Sequence, residues 1–195
     1  FKRTIRRSLE TGGALCHLSY KRKRRRKRRL VLLCDVSGSM LQFSEFALRF
    51  IKSMSEVSES SQTFLFSEEV RAVDPFALQN MDAFRDYVRA SGLYGRGTDL
   101  GNALEYLIQA RPAVLSPSAT LLILSDTKTV GLPRAARALL EARRQAGKVL
   151  WLNPIPEGKW PYVGSIRTMS ALCQMAPCSS LDELARACRR LLGGS

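Results

Sequence analysis

Short unbroken apolar runs alternate along this chain with apolar stripes at helical spacing, and the alternation predicts its elements. Leu30–Cys34 and Ala119–Leu124 are continuous apolar runs, the pattern of strands buried on both faces. Thr63–Phe66 and Lys148–Leu152 read as two further strands, and Val70–Val73 as an edge strand reached through the Ser67-Glu68-Glu69 turn. Phe43, Phe46, Ala47, Phe50, Ile51 and Met54 recur at helical spacing, as do Met81, Phe84 and Val88. Leu100, Ala103, Leu104, Leu107 and Ile108 predict a helix from Leu100 to Ala110, stopped by Pro112. Leu132–Ala146 predicts a longer one, closed by Gly147. Met169, Leu172 and Met175 suggest a short helix after a loop over Gly158–Gly164, and Leu181, Leu184, Cys188 and Leu191 a final one. Strands alternating with helices make this an α/β chain, with a mostly parallel central sheet, helices on both faces and right-handed crossovers.

Polar residues gather where two of these strands end. Asp35, Ser37 and Ser39 follow the first run at alternate positions, and Ser125-Asp126 follows the run at 119–124. Open α/β sheets bind ligands just beyond the carboxyl ends of their strands. A third polar segment, Tyr94-Gly-Arg-Gly-Thr98-Asp99, is a glycine-rich loop leading into a helix. A crevice between adjacent strand ends would bring Asp35, Ser37, Ser39, Thr98 and Asp126 together. Carboxylates with neutral hydroxyl oxygens suit a hard divalent cation, Mg²⁺ first and Mn²⁺ or Ca²⁺ after it. The competing reading is local, since Asp and Ser also cap helices.

Composition locates the charge. The 195-residue chain is 45% hydrophobic, enough for one full core, so residues 30–195 read as one domain. Residues 1–29 carry 13 Lys/Arg against one acid, and Lys21–Arg29 is an unbroken run of nine cations. The remainder is nearly neutral, so the net charge of +14 belongs to an N-terminal basic arm. Such a run stays solvated until it meets an acidic surface. An acidic protein partner fits best, a solvated arm without a dedicated partner next, and nucleic acid least, because Lys21–Arg29 has no interleaved aromatics for base stacking. No apolar run approaches the ~20 residues that cross a bilayer. Five scattered cysteines without a Cys-x-x-Cys pair favour a reducing compartment, and the lone His17 has no partners at zinc-ligand spacing.

The order Asp35-x-Ser37-x-Ser39, Gly97-Thr98-Asp99, Leu124-Ser125-Asp126 resembles the metal-ion-dependent adhesion site (MIDAS) of von Willebrand factor A (VWA) domains. Thr11-Gly-Gly13 with the Arg-rich stretch after it, Thr63–Ser67 and Val149-Leu-Trp-Leu-Asn-Pro154 are similar to the CoxE-like branch of that family. The resemblance implies a Rossmann-like three-layer fold and a site whose cation accepts an Asp or Glu from a partner protein. It further implies a cytoplasmic, non-catalytic adaptor of a MoxR-type AAA+ ATPase, acting with it on a metalloenzyme client. The chain departs from the branch at Thr127-Lys128, where Gly commonly follows the aspartate, at Arg96, and at Cys34.

Enzymatic alternatives find less in the sequence. There is no Gly-x-Ser-x-Gly elbow and no phosphate-binding Gly-x-x-x-x-Gly-Lys-[Ser/Thr] loop. A Mg²⁺-dependent phosphatase resembling the haloacid dehalogenases would use Asp35 and Ser125. It would also need an acid at position 37, which is Ser, and a later acidic pair, whereas the next acid after Asp126 is Glu141.

Overall fold

A computed structural model describes residues 29–43, 47, 49–51, 61–110, 114–180, 182–183 and 186. The basic arm before Arg29, with His17 and the Lys21–Arg28 stretch, lies outside these residues. So does most of the predicted C-terminal helix, of which Asp182, Glu183 and Arg186 are helical.

Six strands form one sheet: β1 (Arg29–Asp35), β2 (Ser61–Phe66), β3 (Val70–Ala72), β4 (Ala119–Leu124), β5 (Lys148–Asn153) and β6 (Gln174–Pro177). Their spatial order is β3-β2-β1-β4-β5-β6, all parallel except the edge strand β3, which pairs antiparallel with β2. The chain runs outward from β1 through β2 to β3, then crosses back to β4 on the other side of β1. That reversal makes the β1/β4 boundary the topological switch point, the place where open α/β sheets bind their ligands. Asp35 ends β1, and Ser125-Asp126 follows β4, so the fold sets both carboxylates at this boundary.

Side-chain alternation along each strand divides the core into two layers. Leu32, Cys34, Leu65, Leu122 and Leu124 face one side, against Phe50, Ile51 and α1 (Met81–Ala90), which buries Phe84 and Val88. Val31, Leu33, Phe64, Phe66, Leu121, Ile123 and Trp151 face the other, against α2 (Leu100–Glu105) and α3 (Leu132–Gln145). α3 presents Ala135, Ala138, Leu139 and Ala142 to the sheet, a helical stripe whose small alanines allow close approach. Capping follows the side chains available: Asn80 Oδ1 accepts from the Ala83 N–H, and Asp99 Oδ1 from the Asn102 N–H, both at 2.8 Å. Arg134 of α3 ties to Asp99 and Glu105 of α2, pinning the two helices together beside the glycine-rich loop.

Three elements differ from expectation. The helix predicted to Ala110 is α-helical only to Glu105 and widens into a π-helical turn over Tyr106–Ala110. The segment after the Trp160 loop is helical earlier than predicted, as α4 (Gly164–Ser170). Met169 is buried in α4, but Met175 lies in β6, a sixth strand where a continuing helix was expected. The spacing of Met169, Leu172 and Met175 imitates a helix across a turn. β6 is a four-residue edge strand with too little alternation to betray itself.

Candidate metal centre

Asp35 is 1% exposed, and both of its oxygens accept hydrogen bonds. The Ser37 backbone N–H donates to Oδ1 at 2.9 Å, and the Ser125 hydroxyl donates to Oδ2 at 2.7 Å. The second bond crosses from the β1 loop to the β4 loop. Ser37 is buried, Ser39 is half-buried in the 3₁₀ turn that follows, and their hydroxyl oxygens are 3.5 Å apart.

The glycine-rich loop docks onto this first loop through its backbone. The Gly38 N–H donates to the Arg96 carbonyl at 2.8 Å, and the Gly95 N–H to the Val36 carbonyl at 3.0 Å. The approach is close: a Cβ on Gly38 would sit 3.1 Å from the Gly95 carbonyl oxygen, so a larger residue would push the two loops apart by a few tenths of an ångström. The same loop is tied to the third. The Thr98 carbonyl accepts from the Val130 N–H at 2.9 Å, and the Thr129 hydroxyl accepts from the Leu100 N–H at 2.9 Å. Thr98 is 8% exposed, and its hydroxyl has no hydrogen-bond partner among the described residues.

The third loop is held from beneath by the core. Trp151, fully buried in β5, donates its indole N–H to the Ser125 carbonyl at 2.8 Å. Asp126 is 1% exposed, and Lys128 covers both its oxygens: the backbone N–H bonds Oδ1 at 3.1 Å and the ammonium lies 3.3 Å from Oδ2. Thr127 between them has φ +69°, a left-handed conformation rare for a β-branched residue. Its hydroxyl bonds the Asp126 carbonyl and meets Ser165 Oγ of α4, contacts that hold the unfavourable backbone in place.

Electrostatics follow from this burial. Desolvation pushes Asp35 up to about 6; hydrogen bonds from Ser37 and Ser125 oppose the rise, and the charge on Asp126 adds to it. Cys34, packed behind Asp35, has its thiol pushed far above the usual range, first by burial and then by the Asp35 charge, and is an inert core residue. Among the described residues no three His, Cys, Asp or Glu side chains group as a metal cluster. An ion here must therefore rely on hydroxyl oxygens as well as carboxylates. Two neighbouring buried acids, the Thr98 hydroxyl and two serine hydroxyls, with no imidazole among the described residues and with the only nearby thiol, Cys34, buried in the core, fit a hard divalent cation.

A family profile described as "VWA domain containing CoxE-like protein" matches residues 1–187. The chain belongs to this family. No functionally curated protein matches it in sequence. Among solved structures, its fold is similar to that of the conserved hypothetical protein BatB from Bacteroides thetaiotaomicron. That pair has a TM-score of 0.56 and 14% identity, covering 85% of this chain and 97% of that one. Proximal thread matrix protein 1 from the mussel byssus, described with a zinc-occupied MIDAS motif, gives a TM-score of 0.51 at 14% identity. The match covers 82% of this chain and 46% of that one. The PilB minor pilin from Streptococcus sanguinis gives 0.52 at 10% identity, over 86% and 61%. At such identities the likeness is one of fold.

Against this VWA background two sequence departures acquire a place. Thr127 adopts the left-handed backbone that suits the glycine common at that position in the branch. Lys128, the next residue, lies back on Asp126. Sequence reasoning did not assign to the metal site Thr129, which joins the second loop to the third, Ser165, which braces Thr127, Ser125, which bonds Asp35, or Trp151, which holds the Ser125 carbonyl. Thr129 and Ser165 stand in no motif that marks them. The phosphatase alternative finds no support: Glu141 lies on α3, bonded to Arg144 and Gln145, and is not a second acid of the site. No helix among the described residues is long and apolar enough to cross a membrane.

Proposed function

We propose that this VWA domain is a non-catalytic, metal-dependent protein-binding module. Ser37, Ser39 and Thr98 would hold a divalent cation, Mg²⁺ or else Mn²⁺ or Ca²⁺, through their hydroxyls, with Asp35 and Asp126 acting directly or through bound water. When bound, the cation supplies an open position for a carboxylate oxygen from another protein. The observation that carries this reading is the interlocking of the three loops at the switch point, with two carboxylates buried among hydroxyls. The chain's own groups orient rather than react. Asp35 and Asp126 have both oxygens engaged, and no histidine occurs among the described residues to act as a base for Ser37.

The partner that suits a CoxE-like domain is a MoxR-type AAA+ ATPase, with the domain coupling that motor to a metalloenzyme client in the cytoplasm. An Asp or Glu from the motor or the client would complete the site. Capture of the cognate ATPase by the full chain, with and without EDTA, tests the reading. Chelation is expected to abolish capture, and Thr98→Ala to weaken it several-fold without unfolding the chain, since the Thr98 backbone bonds remain. Capture indifferent to both chelation and Thr98→Ala would remove the metal-bridging mechanism.

A further inference from the structure

Lys128 is anchored twice to one carboxylate. Its backbone N–H and its ammonium take separate oxygens of Asp126, while its side chain remains 62% exposed and that of Asp126 only 2%. The ammonium thus reaches inward from solvent to a buried charge, and the left-handed turn at Thr127 directs it there. A cation that neutralises Asp126 has to share this carboxylate with a positive charge 3.3 Å away, or displace it. Displacement is easy sterically, because the flexible four-carbon stem leads directly to water.

We propose that Lys128 is a tethered competitor for the divalent cation at Asp126, holding the site in a charge-balanced, cation-free form. The inference rests on the metal-binding reading above and adds its regulation. With the ammonium in place, Asp126 has its counter-charge and the loops remain docked without metal. Cation binding expels the ammonium to the rim, where it is free to meet an incoming carboxylate. Metal affinity is therefore set low in the isolated chain and rises when an acidic partner draws Lys128 away.

The test is titration of Mn²⁺ into the chelator-stripped full chain, for wild type, Lys128→Gln and Lys128→Arg, with thermal unfolding of each in EDTA and in saturating Mn²⁺. Glutamine keeps the backbone bond to Asp126 and removes the charge. Lys128→Gln is expected to bind Mn²⁺ about tenfold more tightly than wild type, and Lys128→Arg to resemble wild type. In EDTA Lys128→Gln is expected to melt below wild type, because the buried Asp126 carboxylate loses its counter-charge; saturating Mn²⁺ should close or reverse that gap. Equal or weaker Mn²⁺ binding by Lys128→Gln would overturn the competitor role while leaving the metal site standing. Absence of binding in all three proteins would overturn the metal reading itself, and this inference with it.

Discussion

Asp35→Asn is expected to stabilise the cation-free protein while abolishing its response to divalent cations. In the folded chain burial pushes this carboxyl up to about 6 from an ordinary value of 3.8. The folded state therefore holds the proton more tightly than the unfolded state. The favourable contribution is complete below the unfolded value and is lost as pH rises through about 6. The shift corresponds to about 3 kcal/mol at neutral pH and above. Asparagine removes the charge and keeps the shape. Its carbonyl can accept from the Ser37 N–H, and its amide can donate to Ser125 Oγ if that hydroxyl turns away. Thermal unfolding in EDTA from about pH 4 to about pH 8 should show wild type falling relative to the variant as pH rises through about 6. The variant should melt roughly 6–12 °C higher at the alkaline end. Added Mg²⁺ or Mn²⁺ should raise the wild-type melting temperature above about pH 6 and leave Asp35→Asn unmoved. A variant no more stable than wild type at high pH would mean that Asp35 carries no such burden.

Trp151 is the second position where a large effect is expected, for a different reason. It is fully buried in the layer beneath α2 and α3, and its indole N–H holds the Ser125 carbonyl. Trp151→Ala leaves a cavity in a packed core and is expected to destabilise the fold by about 4 kcal/mol. Trp151→Phe separates packing from hydrogen bonding. It keeps most of the apolar volume but withdraws the donor from a buried carbonyl, at a cost of about 1–3 kcal/mol. Because Ser125 also bonds Asp35 and precedes Asp126, Trp151→Phe should weaken divalent-cation binding beyond what its stability loss explains. Denaturant midpoints combined with cation titration measure both. A Phe variant with unchanged midpoint and affinity would show that the indole N–H does not position the site.

β1, β4 and β5 were legible in the sequence because a strand buried on both faces has to be apolar at every position, a signal independent of neighbours. α3 was legible because one alanine- and leucine-lined stripe faces the sheet and the other side is charged. β6 was not, since an edge strand of four residues needs apolar character at only one or two of them. The π-helical turn after α2 escaped for a related reason: Leu107 is core in either helical form. At the candidate site the three polar segments were visible as motifs because each abuts a recognisable strand end or helix start. What joins them was invisible. The Gly38–Arg96, Thr98–Val130 and Leu100–Thr129 bonds are long-range contacts through backbone or an ordinary hydroxyl, which no local pattern encodes. The Lys128–Asp126 contact depends on a backbone conformation at Thr127 that its side chain disfavours, so residue preferences argue against it.

The most direct test is an anomalous-difference map from crystals of the full chain grown with Mn²⁺. The predicted result is one peak enclosed by the oxygens of Asp35, Ser37, Ser39, Thr98 and Asp126, with the Lys128 ammonium withdrawn from Asp126. A map without that peak at saturating Mn²⁺, with the lysine still seated on its aspartate, would contradict the account.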